Sequence, residues 1–155
     1  MTESLQVEPE SRQVQFGHAV PILRVADFDR SVEYYVEGLG FTLDWSFGRF
    51  GSVTRDQMSI MLSEGRQGCS STWLWTAVGD ADALYAELLD RGAAIRHPPM
   101  NFPWGSRELH VFDSDRHVLR FGSEGPEDWP VWRMDGRGWG TLVAAGGWHL
   151  AEAAR

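Results

Sequence analysis

Hydrophobic and polar positions change their period several times along the chain, and each change marks a predicted element. Residues 18–25 form an apolar, β-branched run that is typical of a strand. Apolar positions in residues 27–40 recur at helical spacing, with Asp27 as the predicted N-cap and Gly38 and Gly40 at the end. Further strand-like runs follow at 41–47, 50–56 and 58–63.

The same order of elements then begins again. A strand-like run at 71–78 leads into a helical segment at 80–93. The remaining predicted segments are strands at 94–97, 106–113 and 117–121, with a Pro-rich loop at 98–105. Matching positions in the two halves are Val25 and Val78, Asp27 and Asp80, and Asp29 and Asp82. The sequence therefore predicts two consecutive βαβββ units, at about 17–63 and 71–122.

The predicted fold class is α+β. A four-stranded sheet with one helix leaves its second face uncovered, so two such units are expected to pair. We expect partly barrel-like mixed sheets around a cleft, where a ligand would bind. This domain spans 16–123 and follows a polar, flexible tail at 1–15. A Trp-rich extension at 124–155 carries too much aromatic surface for a disordered tail, and it is expected to fold back over the domain or a partner subunit.

Composition and charge exclude several classes of protein. The formal net charge is −8 at pH 7, which argues against nucleic acid or an anionic membrane as a partner and fits a cationic ligand. A lone cysteine, Cys69, excludes an intrachain disulfide framework and a CxxC site. No apolar run approaches the roughly 20 residues of a membrane helix, and no signal-peptide pattern is present. We therefore expect a cytoplasmic protein.

Two segments and the order of the elements resemble the vicinal oxygen chelate superfamily of glyoxalases, extradiol dioxygenases, and fosfomycin- and bleomycin-resistance proteins. The segments are LRVADFDRSVEYYVEGLGF at 23–41 and PWGSRELHVFDSDRHVLRF at 103–121. The turn DSDRH at 113–117 stands where the family commonly has Asp-Pro-x-Gly-Asn. The run WTAVGDAD at 75–82 resembles the bleomycin-resistance branch. That branch implies a homodimer with binding grooves at the subunit interface, no metal of its own, and antibiotic resistance by sequestration.

Metal-dependent relatives hold one divalent ion in the cleft with His, Glu or Gln from four strands. The resemblance places the equivalent positions at Val20, Met61, Trp73 and Arg120. Val, Met and Trp supply no hard or imidazole ligand, and a guanidinium repels a cation. The sequence therefore predicts neither a metal nor another cofactor. A relocated site formed by His18, Glu108 and His110 stays open as an alternative.

A cleft of this composition would bind a ligand by stacking and by a few charges. The predicted ligand-binding residues are Trp45, Phe47, Phe50, Met61, Trp73, Trp75, Phe102, Trp104, His110 and Arg120. The competing interpretation places most of these aromatic residues in the core. Arg120 would meet a ligand carboxylate, carbonyl or ring, or would pair with an acidic side chain of the protein. No catalytic residue is predicted, because no Ser-His-Asp order, phosphate loop or reactive-cysteine setting is found.

These features favour a binding protein over an enzyme. The first hypothesis is a metal-independent antibiotic-binding protein that sequesters a bulky aromatic, cationic ligand in an aromatic-lined groove and so gives resistance. Its ligand would be of the bleomycin type or another aromatic natural product. The second is a glyoxalase- or dioxygenase-like enzyme with relocated metal ligands or no metal. The third is a ligand sensor or carrier, and the residues at the metal positions favour the first and third over the second.

Overall fold

The computed structural model describes residues 17–126 and confirms the predicted order of two βαβββ units. The first unit consists of β1 (Ile22–Arg24), α1 (Phe28–Glu33), β2 (Thr42–Phe47), β3 (Phe50–Arg55) and β4 (Met58–Ser63). The second consists of β5 (Trp73–Ala77), α2 (Ala81–Asp90), β6 (Ile95–Asn101), β7 (Ser106–Phe112) and β8 (Val118–Glu124). The predicted tail (1–15) and the predicted extension from residue 127 onward lie outside the described residues.

The strands form two separate four-stranded sheets, ordered β1-β4-β3-β2 and β5-β8-β7-β6. In each unit the first strand is parallel to the last, and the other pairs are antiparallel. The identical order confirms the repeat and the α+β class. Between residues 17 and 126 the sheets do not close into a barrel.

Both helices begin at an aspartate, as the sequence predicts. Asp27 has an extended backbone, and its carboxylate accepts a hydrogen bond from the amide of Arg30 at 3.0 Å. Asp80 accepts from the amides of Asp82 and Ala83. A cap of this kind stabilises a helix by about 1 kcal/mol. Within the described residues no helix is long and apolar enough to span a membrane.

The first helix differs from the prediction at its C-terminal end. Instead of one helix over 27–40, α1 continues as a π-helical segment at Tyr34–Gly38. Gly40, with φ of +71°, then turns the chain towards β2. The Tyr34 hydroxyl donates to the carbonyl of Phe112 at 2.8 Å, which ties this segment to the second unit. Hydrophobic spacing alone does not reveal such a widened turn.

Two strand predictions have the wrong boundaries. The run 18–25 forms a strand only at Ile22–Arg24. β6 continues through Pro98 and Pro99, which were predicted to begin a loop. Because β6 lies at the edge of the second sheet, a proline there removes no hydrogen bond to an outer strand. The pairing of β6 with β7 is irregular at this point.

One hydrophobic core joins the two units. It contains buried side chains from both helices and from one face of each sheet, among them Leu23, Tyr35, Ile60, Leu62, Leu88, Leu109 and Leu119. Strand alternation turns the neighbouring residues to the opposite face of each sheet. Trp45, Trp73 and Trp75 lie on these opposite faces and are exposed. The core therefore lies on the helix side of both sheets, and the opposite faces are open in the single chain.

The turn between β7 and β8 links the units through buried polar groups. The Nδ1 atom of the fully buried His117 accepts from the amide of Thr72 at 3.0 Å, and its Nε2 lies 2.8 Å from the carbonyl of Arg24. These two partners require a neutral ring protonated on Nε2. Asp113 accepts the amide of His117 at 2.8 Å and the hydroxyl of Tyr35 at 3.1 Å. The second unit is thus hydrogen-bonded to the end of β1 and to the first helix.

Candidate functional site: the open face of the second sheet

The open face of the second sheet collects a group of aromatic and charged side chains. Trp73 and Trp75 alternate along β5, Glu108 and His110 along β7, and Arg120 lies between them on β8. The register places both Trp75 and His110 opposite Arg120. Phe102 and Trp104 reach the same surface from the segment between β6 and β7. We call this surface, formed by Trp73, Trp75, Phe102, Trp104, Glu108, His110 and Arg120, the aromatic face.

Glu108 is fully buried at the centre of the aromatic face. Its Oε1 accepts the indole N–H of Trp104 at 2.8 Å and that of Trp75 at 3.3 Å. Its Oε2 accepts Nε and Nη2 of Arg120 at 2.9 and 2.6 Å, and lies 3.3 Å from Nε2 of His110. A buried carboxylate is stable only with partners of this kind. One carboxylate therefore orients two indoles, an imidazole and a guanidinium.

The pKa values of the two central groups follow from these contacts. Burial by itself raises the pKa of Glu108, but the hydrogen bonds from Trp104, Arg120 and His110 outweigh burial and lower the pKa below its usual value. Burial also lowers the pKa of His110, and the nearby Arg120 charge adds to that effect against the hydrogen bond with Glu108. At neutral pH Glu108 is therefore ionised and His110 is neutral.

Stacked rings form a continuous surface across the aromatic face. Phe102 stacks on Trp104 with ring centroids 4.6 Å apart and on His110 at 5.6 Å. Trp73 meets His110 edge to face at 6.1 Å. Such pairs contribute about 0.5–1.5 kcal/mol each beyond burial of their area. These rings form an apolar surface on which Trp73, Trp75 and Trp104 are 51%, 55% and 56% exposed.

Arginines cover several of these rings. The guanidinium carbon of Arg96 lies 4.3 Å from the ring centroid of Trp73 and 5.3 Å from that of Phe112. That of Arg116 lies 4.3 Å from Phe112. Arg120 lies 5.7 Å from Trp104 and 5.9 Å from Phe102. Cation–π contacts of this length are attractive, and they add positive charge to the aromatic face.

Sequence reasoning missed Arg96 and Arg116, and it gave Glu108 a different role. Arg96 lies on β6, where register shifts on both sides of His97 interrupt the alternation on which a prediction would rest. Arg116 has a positive φ of 69° in the turn before β8, so strand periodicity does not apply to it. Strand alternation does predict that Glu108 and His110 share a face, but as metal ligands and not as partners that orient the aromatic rings.

A hollow of about 540 Å³ adjoins the aromatic face, beside Trp75 and Trp104. Gly122 lines it. A Cβ at this position would lie 2.8 Å from Nε1 of Trp75 and 2.9 Å from Oγ of Ser106, so the glycine lets the Trp75 indole pack close to β8. Ser106 Oγ is buried without a hydrogen-bond partner among residues 17–126. A second hollow of about 710 Å³ lies between the β3–β4 turn and α2, lined by Arg55, Met58, Leu84, Glu87 and others.

The predicted ligand-binding residues divide between the two sheets. Trp73, Trp75, Phe102, Trp104, His110 and Arg120 come together on the aromatic face. Trp45, Phe47, Phe50 and Met61 lie on the first sheet. There Trp45 contacts Phe50 edge to face at 5.3 Å, and Phe47 is 86% exposed. No ring contact between described residues joins this second group to the aromatic face.

The four positions equivalent to family metal ligands do not fit a metal ion. Trp73 lies beneath the guanidinium of Arg96, and Arg120 is bonded to Glu108. Met61 lies on the other sheet, and Val20 precedes β1. The alternative set is not assembled either, because His18 lines the hollow at α2 while Glu108 and His110 lie on the aromatic face. Within residues 17–126 no three His, Cys, Asp or Glu side chains are grouped to hold a metal.

Comparison with known proteins finds a family and a relative that this chain matches. The sequence model of the Glyoxalase/Bleomycin resistance protein/Dioxygenase superfamily matches residues 15–121. A curated relative, the uncharacterized protein YraH of Bacillus subtilis, is 25% identical over 115 residues, which cover 63% of this chain and 90% of YraH.

Two similar solved structures are those of antibiotic-binding proteins. TnmS3, an antibiotic binding protein from Streptomyces sp. CB03234, is 27% identical with a TM-score of 0.63, over 73% of this chain and 100% of its own. The bleomycin-binding protein of Streptomyces verticillus, solved with copper(II)-bleomycin, is 28% identical with a TM-score of 0.59, over 74% of this chain and 100% of its own.

Proposed function

Because the chain belongs to the Glyoxalase/Bleomycin resistance protein/Dioxygenase superfamily, we propose that it is a metal-independent binding protein for an aromatic small molecule of the antibiotic type. The ligand stacks on the aromatic face. The observation that carries this proposal is the buried Glu108 carboxylate, which holds Trp75, Trp104 and Arg120 in place on an exposed surface.

A rigid aromatic surface suits ligand binding for two physical reasons. Exposed indoles leave apolar area in water, so covering them with a flat ligand is favourable by about 25 cal/mol per Å². The hydrogen bonds to Glu108 also order Trp75 and Trp104 before a ligand arrives, which reduces the entropy lost on binding. Both terms favour a planar ligand over a flexible aliphatic one.

The related structures support the same class of ligand. TnmS3 is described as an antibiotic binding protein, and the Streptomyces verticillus protein binds bleomycin. In this proposal the present protein protects the cell by sequestering such a compound in the cytoplasm. Val20, Met61, Trp73 and Arg120, at the family's metal positions, supply no suitable set of ligands, which supports binding without metal chemistry.

The proposal also includes a homodimer. The first sheet exposes Leu43, Trp45 and Phe47, and the second exposes the aromatic face. Neighbouring exposed apolar side chains of this size are typical of interaction sites. In a dimer, the first sheet of one subunit would cover the aromatic face of the other and turn that surface into a groove.

A fluorescence titration tests the proposed function. Chelator-treated protein is titrated with metal-free bleomycin and with planar aromatic antibiotics, and tryptophan quenching is followed. We expect saturable binding at about one ligand per subunit. Trp73→Ala should weaken it roughly tenfold, since about 1–1.5 kcal/mol of stacking is lost. Leu89→Ala removes an equally exposed apolar side chain on α2 and should have no effect. No saturable response to any compound would contradict the proposed function.

A further inference from the structure

Positive charge is concentrated at one end of the aromatic face. Trp73 and Phe112 both pair with Val118, from opposite sides, so these two rings mark the same end of the sheet. Arg96 and Arg116 lie over these rings at 4.3 Å from a centroid. Neither arginine forms an ion pair with a carboxylate within residues 17–126. Two guanidinium groups therefore lie here without a neutralising partner in the described part of the chain.

The carboxylates of the aromatic face are either neutralised or placed at the opposite end. Asp113 and Asp115 belong to the same turn as Arg116, but their oxygens accept hydrogen bonds from Tyr35, Ser31 and backbone amides. Glu108 is ionised, but Arg120 binds it directly, so the pair has no net charge. Glu124 lies at the far end of β8, where it pairs with Ser106 and lines the 540 Å³ hollow. The face is thus positive beside Trp73 and negative beyond Trp104.

We propose that the aromatic face selects a planar aromatic ligand that carries an acidic group, a carboxylate or a phenolate. The acidic group lies at the Trp73 end, beside Arg96 and Arg116, and the rings extend towards Trp104. This inference rests on the proposed function and adds the charge and the orientation of its ligand.

The charges beside the aromatic face determine the preferred charge of the ligand more than the net charge of the whole chain does. A net charge of −8 is compatible with a cationic ligand, but charges on distant surfaces are screened beyond about 8–10 Å at physiological salt. A ligand cation would meet two guanidinium groups, and the ring faces that attract cations already hold arginines. Arg96 is exposed, so its side chain can turn from Trp73 to a ligand carboxylate.

Three probes with one ring system test the inference on the full chain. They are anthraquinone-2-carboxylate, 2-(hydroxymethyl)anthraquinone and 2-(aminomethyl)anthraquinone, which are anionic, neutral and cationic at pH 7.5. Dissociation constants come from tryptophan quenching, corrected for absorbance by the probe. We expect the carboxylate to bind about 5- to 20-fold more tightly than the neutral probe, as two partly exposed ion pairs allow. The cationic probe should bind most weakly.

Charge variants locate the acidic group. Arg96→Gln and Arg116→Gln should each reduce several-fold the ratio of the neutral probe's dissociation constant to that of the carboxylate. Glu124→Gln removes a charge at the other end of the same face and should not weaken binding of the carboxylate. Tightest binding of the cationic probe, equal binding of all three, or no effect of either arginine variant would overturn the inference but leave the binding function standing. Failure of all three probes to bind would overturn the inference, and failure of bleomycin and the planar antibiotics as well would overturn the binding function.

Discussion

Glu108 is the side chain on which the arrangement of the aromatic face depends. Its two oxygens satisfy donors from Trp75, Trp104 and Arg120, and Nε2 of His110 lies beside them. A buried charge pair of this kind gives little net stability compared with apolar residues, but removing one partner leaves the other without compensation. Glu108 therefore fixes the positions of its partners, and its removal lowers stability even though the intact charge pair adds little to it.

Substitution Glu108→Gln tests this role through the pH dependence of stability. At pH 6.5 we expect the free energy of unfolding to fall by about 3 kcal/mol, because Arg120 loses its counter-charge in a half-buried position. The pKa of Glu108 is lowered by folding. Its contribution is therefore complete above the unfolded-state pKa of about 4.3 and is lost as the pH falls through the lower folded-state value.

Urea unfolding of both proteins at pH 6.5 and at successively lower pH measures the effect. The difference between wild type and Glu108→Gln should shrink below about pH 4. Burial raises the pKa of Asp113, which acts in the opposite direction, but both proteins contain this group and its effect cancels in the difference. Glu124→Gln, an exposed carboxylate on the same face, should change stability by less than about 0.5 kcal/mol. A difference that does not vary with pH would contradict the assignment.

At the scale of elements, the sequence predicts what depends on regular spacing. The βαβββ order follows from apolar periodicity, and both helix starts follow from the aspartate caps Asp27 and Asp80. Apolar periodicity does not predict irregular backbone, because the π-helical segment at Tyr34–Gly38 and the register shifts of β6 leave no hydrophobic signal. The position of Arg96 depends on those shifts, and for that reason it was not predicted.

The turn between β7 and β8 joins the two units through hydrogen bonds, beside the shared core and the contact of Tyr34 with Phe112. His117 supplies one acceptor and one donor to backbone groups of Thr72 and Arg24, which are far apart in sequence. We expect His117→Ala to lower the free energy of unfolding by about 2–4 kcal/mol, because two buried backbone groups lose their partner and a cavity forms. His18→Ala changes an exposed histidine and serves as the control. Equal midpoints of thermal unfolding for the two variants would contradict a linking role.

At the scale of the whole molecule, the site was predictable only in part. Period-two alternation identifies which residues share a face of a strand, and six of the ten predicted residues lie together on the aromatic face. It does not identify which faces meet, and Trp45, Phe47, Phe50 and Met61 lie on the other sheet. Net charge is similarly uninformative about a local surface: a chain of charge −8 carries Arg96, Arg116 and Arg120 on one face.

The exposed first sheet leads to a prediction about assembly. In the proposed dimer, Phe47→Asp places a charge in an apolar interface and should shift the protein to a monomer. Sedimentation velocity across a concentration series measures this directly. Leu89→Asp introduces the same charge in place of another exposed apolar side chain, on α2, and should leave the dimer intact. A monomeric wild type, or a Phe47→Asp variant that remains dimeric, would contradict the proposed interface.

The prolines of β6 have a consequence for how copies of the protein can meet. Pro98 and Pro99 lie on an outer strand and carry no backbone N–H. An edge without these donors is a poor template for a strand from another molecule. Contact between copies through the second sheet is therefore expected at its open face, and not by addition of a strand to β6. We therefore expect Pro98 and Pro99, which end the predicted strand in the sequence, to disfavour addition of a further strand at this edge.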